Sequence, residues 1–175
     1  MNGRAINLIV IHCSASPNGV ALGRNGKTAA QVIDGWHQQR GFSRAPTWRL
    51  QWNSSLQSIG YHFVIDTDGT QQSGRHIDEI GAHVAGFNID SIGICCVGTD
   101  AFTRAQWGKL NALVLQLRKQ YFTAKVLGHR DLSPDLNHDG KIEPNEYMKL
   151  CPGFNVSDWL LAMQPVSGHI IEVAP

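Results

Sequence analysis

Two runs of the chain are apolar without alternation: Ile6 to Ile11, which ends in His12, and Ser91 to Val97. Unbroken β-branched runs of this length are strands covered on both faces, so the central sheet is predicted to carry helices on each side. Between them the period changes. From Thr28 to Arg40, Ala29, Val32, Ile33 and Trp36 recur at helical spacing, and Gly41 follows as a stop. Phe42 to Gly60, with Trp48 and Trp52, has no clean period and reads as a long loop or irregular insertion. Tyr61 to Thr67, Asp68-Gly69 and Thr70 to Gly74 read as a hairpin around a tight turn. Ile77 to Asp90 reads as loop.

The clearest helix runs from Thr103 to Phe122, where Thr103 and Gln106 form a capping box and Trp107, Leu110, Val114, Leu117 and Tyr121 share one face. Lys125 to Leu127 is a short strand that delivers His129, and Ser157 is the expected cap of a last helix, Asp158 to Met163. The tail to Pro175 is expected to wrap or fray. Strand, helix, hairpin, strand, helix, strand, helix is a mixed α/β (α+β) order, a central mixed sheet flanked by helices.

Composition narrows this picture. At 175 residues and 42% hydrophobic, the chain suits one domain with a sizeable core, spanning 1–175. Fifteen basic against 14 acidic residues gives +1, so no nucleic-acid surface is expected and a polymer substrate must be read in a local groove. No apolar run spans a bilayer, and MNGRAINLIVIHC lacks the form of a signal peptide, which implies synthesis in the cytoplasm without membrane insertion. Four cysteines, two of them adjacent (Cys95 and Cys96), read as free thiols.

The candidate chemistry gathers between Gly128 and Cys151. His12 and His129 at two strand exits, with Cys151, offer two imidazoles and a thiolate, a set that leaves zinc a fourth position for water. Alternation along the strand turns Cys13 away if His12 faces the metal. Inside the same stretch, D-x-N-x-D-G-x-I-x-x-x-E has calcium-loop spacing: Asp135, Asn137, Asp139 and Glu146 as side-chain ligands, Lys141 through its carbonyl, and Gly140 at the turn. Calcium is therefore expected to fold an EF-hand-like insertion (135–146) and to position Lys149 and Cys151. The alternative is an Asx-rich turn that needs no ion.

Several ordered blocks, HCSAS after a strand, GYHFVIDTDGT with GR, GAHVAGFNIDSIGICCVG, and GHRD with KLCPGF, resemble the type 2 N-acetylmuramoyl-L-alanine amidases. That family includes phage endolysins, bacterial recycling amidases and animal peptidoglycan-recognition proteins. The resemblance covers Ile6 to Trp159 and implies zinc on His12, His129 and Cys151, with Tyr61 and Lys149 at the auxiliary catalytic positions. It also implies peptidoglycan as partner, and hydrolysis of the amide between N-acetylmuramic acid and L-alanine. Substrate contacts are expected from His83 and Arg75, with a structural hydrogen-bonding role as the equal alternative for His83; Trp48 or Trp52 are candidates for stacking on sugar, with core or rim packing as the default. His37 is expected to pack or face solvent. A monomeric phage or prophage endolysin acting on the wall after release is the leading expectation. A cytosolic muropeptide-recycling amidase and a non-catalytic peptidoglycan-binding module are the alternatives.

Overall fold

A computed structural model describes residues 3–172. The strand β1 (Leu8–Cys13) lies inside the sheet and runs parallel to the central strand β4 (Ser91–Cys96) on one side and to the edge strand β6 (Lys125–Gly128) on the other. Beyond β4 lies β2 (Phe63–Ile65), parallel to it and closed into an antiparallel hairpin with β3 (Gln71–Ser73). The five-stranded order is β3-β2-β4-β1-β6. The apolar runs are thus the two innermost strands, and β4 is buried along its whole length.

Each face of the sheet has its own helical cover. Ile9, Ile11, Cys13, Ile92, Ile94 and Cys96 pack against α3 (Arg104–Gln120) and α4 (Val156–Ala162), where Trp107, Phe154 and Trp159 fill the core. Val64, Cys95 and Val97 pack on the other face against Ala29, Ala30 and Ile33 of α1 (Ala29–Gln39). Both α1 and α3 begin with reciprocal capping boxes, Thr28 with Gln31 and Thr103 with Gln106, which satisfy backbone donors that a helix start leaves open. No described helix is long and apolar enough to cross a membrane.

Four local readings change. The hairpin loop is three residues rather than two: the Asp66 amide donates to the Thr70 carbonyl, and Gly69 (φ +82°) takes the left-handed position. The 42–60 stretch contains a six-residue helix, α2 (Pro46–Gln51), with Pro46 in its first turn and no buried residue, so no apolar stripe announced it. The last helix starts earlier because Asn155 is its cap: Asn155 Oδ1 accepts the Ser157 and Asp158 amides, and Ser157 itself donates its hydroxyl to Asn155. In the tail, β7 (Ile170–Ile171) pairs in parallel with β5 (Phe102–Thr103), a two-residue ladder too short for a sequence period, while 173–175 lie outside the described residues.

Candidate metal centre and active-site groove

His12 is set by strand register. Opposite Cys95 on β1, it points to the α1 face while Ile11 and Cys13 enter the α3 core, as alternation requires. His129 follows β6 directly and opens a 3-10 turn, His129–Leu132, which the Asp131 carboxylate caps by accepting the Gly128 amide (2.7 Å). Cys151 returns from the excursion over 133–150. Its carbonyl accepts the Arg130 amide (2.8 Å) and its sulfur accepts the Cys13 amide (3.2 Å), so the segments carrying the three residues are stitched together by backbone donors.

The ligand atoms of His12, His129 and Cys151 all lie within 4.8 Å of one another, and among the described residues they are the one such His/Cys/Asp/Glu group. His12 Nδ1 stands 3.7 Å from Cys151 Sγ. Zinc–nitrogen and zinc–sulfur distances of about 2.05 and 2.3 Å at a tetrahedral angle require about 3.6 Å between those atoms. The donor set therefore fits zinc. Burial first, and then the neighbouring His129 and Lys149, which disfavour a second positive charge beside them, hold His12 well below the usual imidazole range. Burial and Lys149 also lower His129 to about 4, so both rings stay neutral ligands near neutral pH.

His129 and Cys151 line a groove of about 540 Å³, with His12 buried behind them; Tyr61, Lys149, His37 and Arg40 also line it. The Tyr61 ring lies 5.1 Å from that of His12, and burial pushes its phenol well up, leaving the hydroxyl a proton donor. Lys149 is exposed at the groove wall. His37 packs, as one of the two expectations had it, and also borders the groove: it is buried, and its Nδ1 accepts the Gly60 amide (2.8 Å), which leaves the proton on Nε2. Its signal was present in the spacing, since Ala30, Ile33 and His37 form the buried stripe of α1.

Other expectations need correction. Arg75 is buried, and it donates to the carbonyls of Ile59 (2.6 Å), Ile80 (2.7 Å) and Ser43 (3.1 Å) beside Glu79 (3.3 Å). Each of its three nitrogens is engaged inside the protein and the side chain does not line the groove, so Arg75 does not meet a peptide carboxylate there; it braces the same segment as fully buried Arg44, which also pairs with Glu79 (2.8 Å). Trp48 and Trp52 do not line the groove; they flank His76, Trp48 stacked on it at 5.4 Å and Trp52 edge-on at 5.0 Å. His83 lines the groove, but its ring nitrogens face His12 (3.0 Å) and Ser91 (3.3 Å) rather than open space.

The calcium reading is not supported. Asp135 accepts the Gly140 amide, Asn137 that of Asp139, Asp139 that of Lys141, and Glu146 those of Leu136, Asn137 and Glu143. The Asp135, Asp139 and Glu146 carboxylates form no ligand cluster like that of His12, His129 and Cys151. No EF-hand helices flank them either: the run is preceded by the 3-10 turn at His129 and ends in a single turn, Pro144–Glu146. A series of Asx-type turns uses the same residues, with Asp135 Oδ1 left buried without a hydrogen-bond partner. Lys149 and Cys151 are placed by other means, the Met148 amide donating to Ser133 Oγ (3.1 Å) and the Arg130 guanidinium lying 5.1 Å over the Tyr147 ring.

Comparison with known proteins agrees with this architecture. The family model described as N-acetylmuramoyl-L-alanine amidase matches residues 2–154. An endolysin of Klebsiella phage KP32 is 32% identical over 159 residues, covering 86% of this chain and 83% of its own. Among solved structures, the N-acetylmuramoyl-L-alanine amidase LysC from Clostridium intestinale URNW superposes with a TM-score of 0.60 at 27% identity, over 87% of this chain and 79% of its own. Drosophila PGRP-LB shares the fold, with a TM-score of 0.62 at 21% identity over 98% of this chain and 86% of its own. With most of its length matched by the family model, and with an endolysin relative 32% identical over 86% of it, this chain belongs to the type 2 N-acetylmuramoyl-L-alanine amidase family.

Proposed function

We propose that the chain is a zinc-dependent endolysin of the phage or prophage type. It hydrolyses the amide that joins the lactyl group of N-acetylmuramic acid to the L-alanine of the stem peptide. Amide hydrolysis by family members and the endolysin relative support the reaction class. The observation that carries the zinc reading is the convergence of His12, His129 and Cys151 at ligand distance, with His129 and Cys151 lining a substrate-sized groove.

Zinc held there, when bound, supplies a Lewis acid that polarises the scissile carbonyl and makes water a competent nucleophile near neutral pH. The chain does the rest. Neutral His12 and His129 remain available as ligands because burial disfavours their protonation. Lys149 places an ammonium at the groove wall, where it stabilises negative charge developing on the carbonyl oxygen. Tyr61, kept protonated by burial, offers its hydroxyl hydrogen to the reacting centre and orients the scissile group. His37 presents Nε2–H to a substrate acceptor farther along the groove.

A peptidoglycan-binding module without catalysis needs no third ligand, and Cys151 supplies one, so the enzymatic reading is preferred. The test is digestion of purified sacculi and of soluble muropeptides, with labelling of new amino termini. Stem peptides that begin with free L-alanine, released from intact sacculi and abolished by chelation, are the expected result. Cleavage of the small fragments alone points to muropeptide recycling instead, and binding with no new amino terminus overturns the enzymatic reading.

A further inference from the structure

His12 has two ring nitrogens in different surroundings. Nδ1 faces the cluster, 3.7 Å from Cys151 Sγ, and Nε2 faces His83 Nδ1 at 3.0 Å. A neutral imidazole holds one proton, so the direction of the contact with His83 decides which nitrogen of His12 keeps a lone pair. If His83 donated, the His12 proton would sit on Nδ1 and block ligation. If His12 donates through Nε2, Nδ1 is free, and the proton of His83 falls on Nε2, 3.3 Å from Ser91 Oγ. Only this direction serves a metal ligand, and it gives both rings and the buried serine a partner.

The ring of His83 is also held in place. A Cβ at Gly93 would lie 2.6 Å from its Cγ, and one at Gly81 would lie 2.5 Å from its Cδ2, so the ring fills a slot that these two glycines leave open. Its loop is fastened by Asn88 Oδ1, which accepts the amides of His83 (2.8 Å) and Val84 (3.0 Å).

We propose that His83 is a positioning residue of the metal centre, a hydrogen-bond acceptor that fixes the tautomer and orientation of His12, in place of the substrate contact its sequence block suggested. The proposal rests on the reading of His12 as a zinc ligand. Partners of this kind commonly contribute about 10- to 100-fold to metal affinity.

The test is zinc affinity, measured by competition with a chromophoric chelator, together with imidazole N–H signals in nitrogen-15 spectra of the zinc-loaded protein. His83→Ala is expected to weaken zinc binding about 10- to 100-fold and to remove the protected His12 Nε2–H signal. His83→Asn places an oxygen acceptor near the position of Nδ1 and should restore affinity to within a few-fold. His83→Gln, whose acceptor falls nearer the position of Nε2, should behave like alanine. Gly93→Ala, which drives the ring from its slot, should reproduce the alanine loss with His83 present.

Unchanged zinc affinity in His83→Ala, with binding abolished in Cys151→Ser, overturns the proposal and leaves the metal centre standing. A rise in KM alone, at wild-type zinc affinity, returns His83 to substrate contact. Failure of the wild-type protein to take up zinc overturns the metal reading itself.

Discussion

Removing the metal should unsettle the whole fold, because the three ligands come from chain segments that meet only in the native state. His12 ends β1, His129 opens the turn after β6, and Cys151 lies beyond the 133–150 excursion. An ion that binds the folded chain and not the unfolded one stabilises it by about 4 kcal/mol at a free concentration 1,000 times its Kd. For 175 residues, an unfolding entropy near 2.1 cal/mol/K per residue amounts to about 0.37 kcal/mol/K, so the melting temperature should rise by about 11 °C. The assay is differential scanning calorimetry of chelated and zinc-loaded protein, at fixed free zinc and neutral pH. Cys151→Ser should melt near the chelated wild type and gain at most a small fraction of the shift. Identical melting of chelated and loaded wild type, or a full zinc shift in Cys151→Ser, would refute the placement of zinc on these three residues.

Three further outcomes follow from particular contacts. Lys149→Ala should lower kcat about 100-fold with zinc affinity within a few-fold of wild type, and Lys149→Arg should recover part of the loss; an unchanged kcat removes Lys149 from the reaction. In metal-free protein, burial lowers His37 to about 4 and His62 to about 3, below an unfolded value near 6.5. The unfolded chain therefore binds more protons as pH falls from about 6.5 towards 3, so stability should be full above that range and be lost through it; a melting temperature flat across it contradicts the burial of neutral rings. Because Asp135, Asp139 and Glu146 are engaged by the loop's own amides, millimolar calcium should leave the melting temperature unchanged, and a rise of several degrees would restore the ion-binding reading.

What was legible in the sequence was what local signals encode. The two innermost strands announce themselves by unbroken β-branched runs, and α3 by its stripe and capping box. Helix α2 carries no such signal, since it buries no residue, and the segment that follows it is held by Arg44, which donates to the carbonyls of Trp52, Asn53 and Leu56. The β5–β7 ladder joins residues nearly 70 positions apart through two residues each, beyond the reach of any period. At the His12, His129 and Cys151 cluster, strand exits mark the two histidines, but only the folded chain shows which ring each nitrogen meets. His83 and Arg75 were chosen as polar residues in blocks near the cleft; tertiary contacts turn one towards His12 and bury the other among carbonyls. The calcium-loop spacing points to an ion site, but the same Asx residues serve the alternative, a run of turns in which their side chains accept the loop's own amides.

The central claim is that a single zinc on His12, His129 and Cys151 is required for cleavage at the muramoyl–alanine amide. It is tested most directly by titrating zinc into chelated, desalted protein while following new N-terminal L-alanine released from purified sacculi. The account predicts a rate near zero without metal that rises to a plateau at one zinc per chain, and no such rise in Cys151→Ser. Full release by metal-free protein, or amino termini other than L-alanine at the plateau, would contradict it.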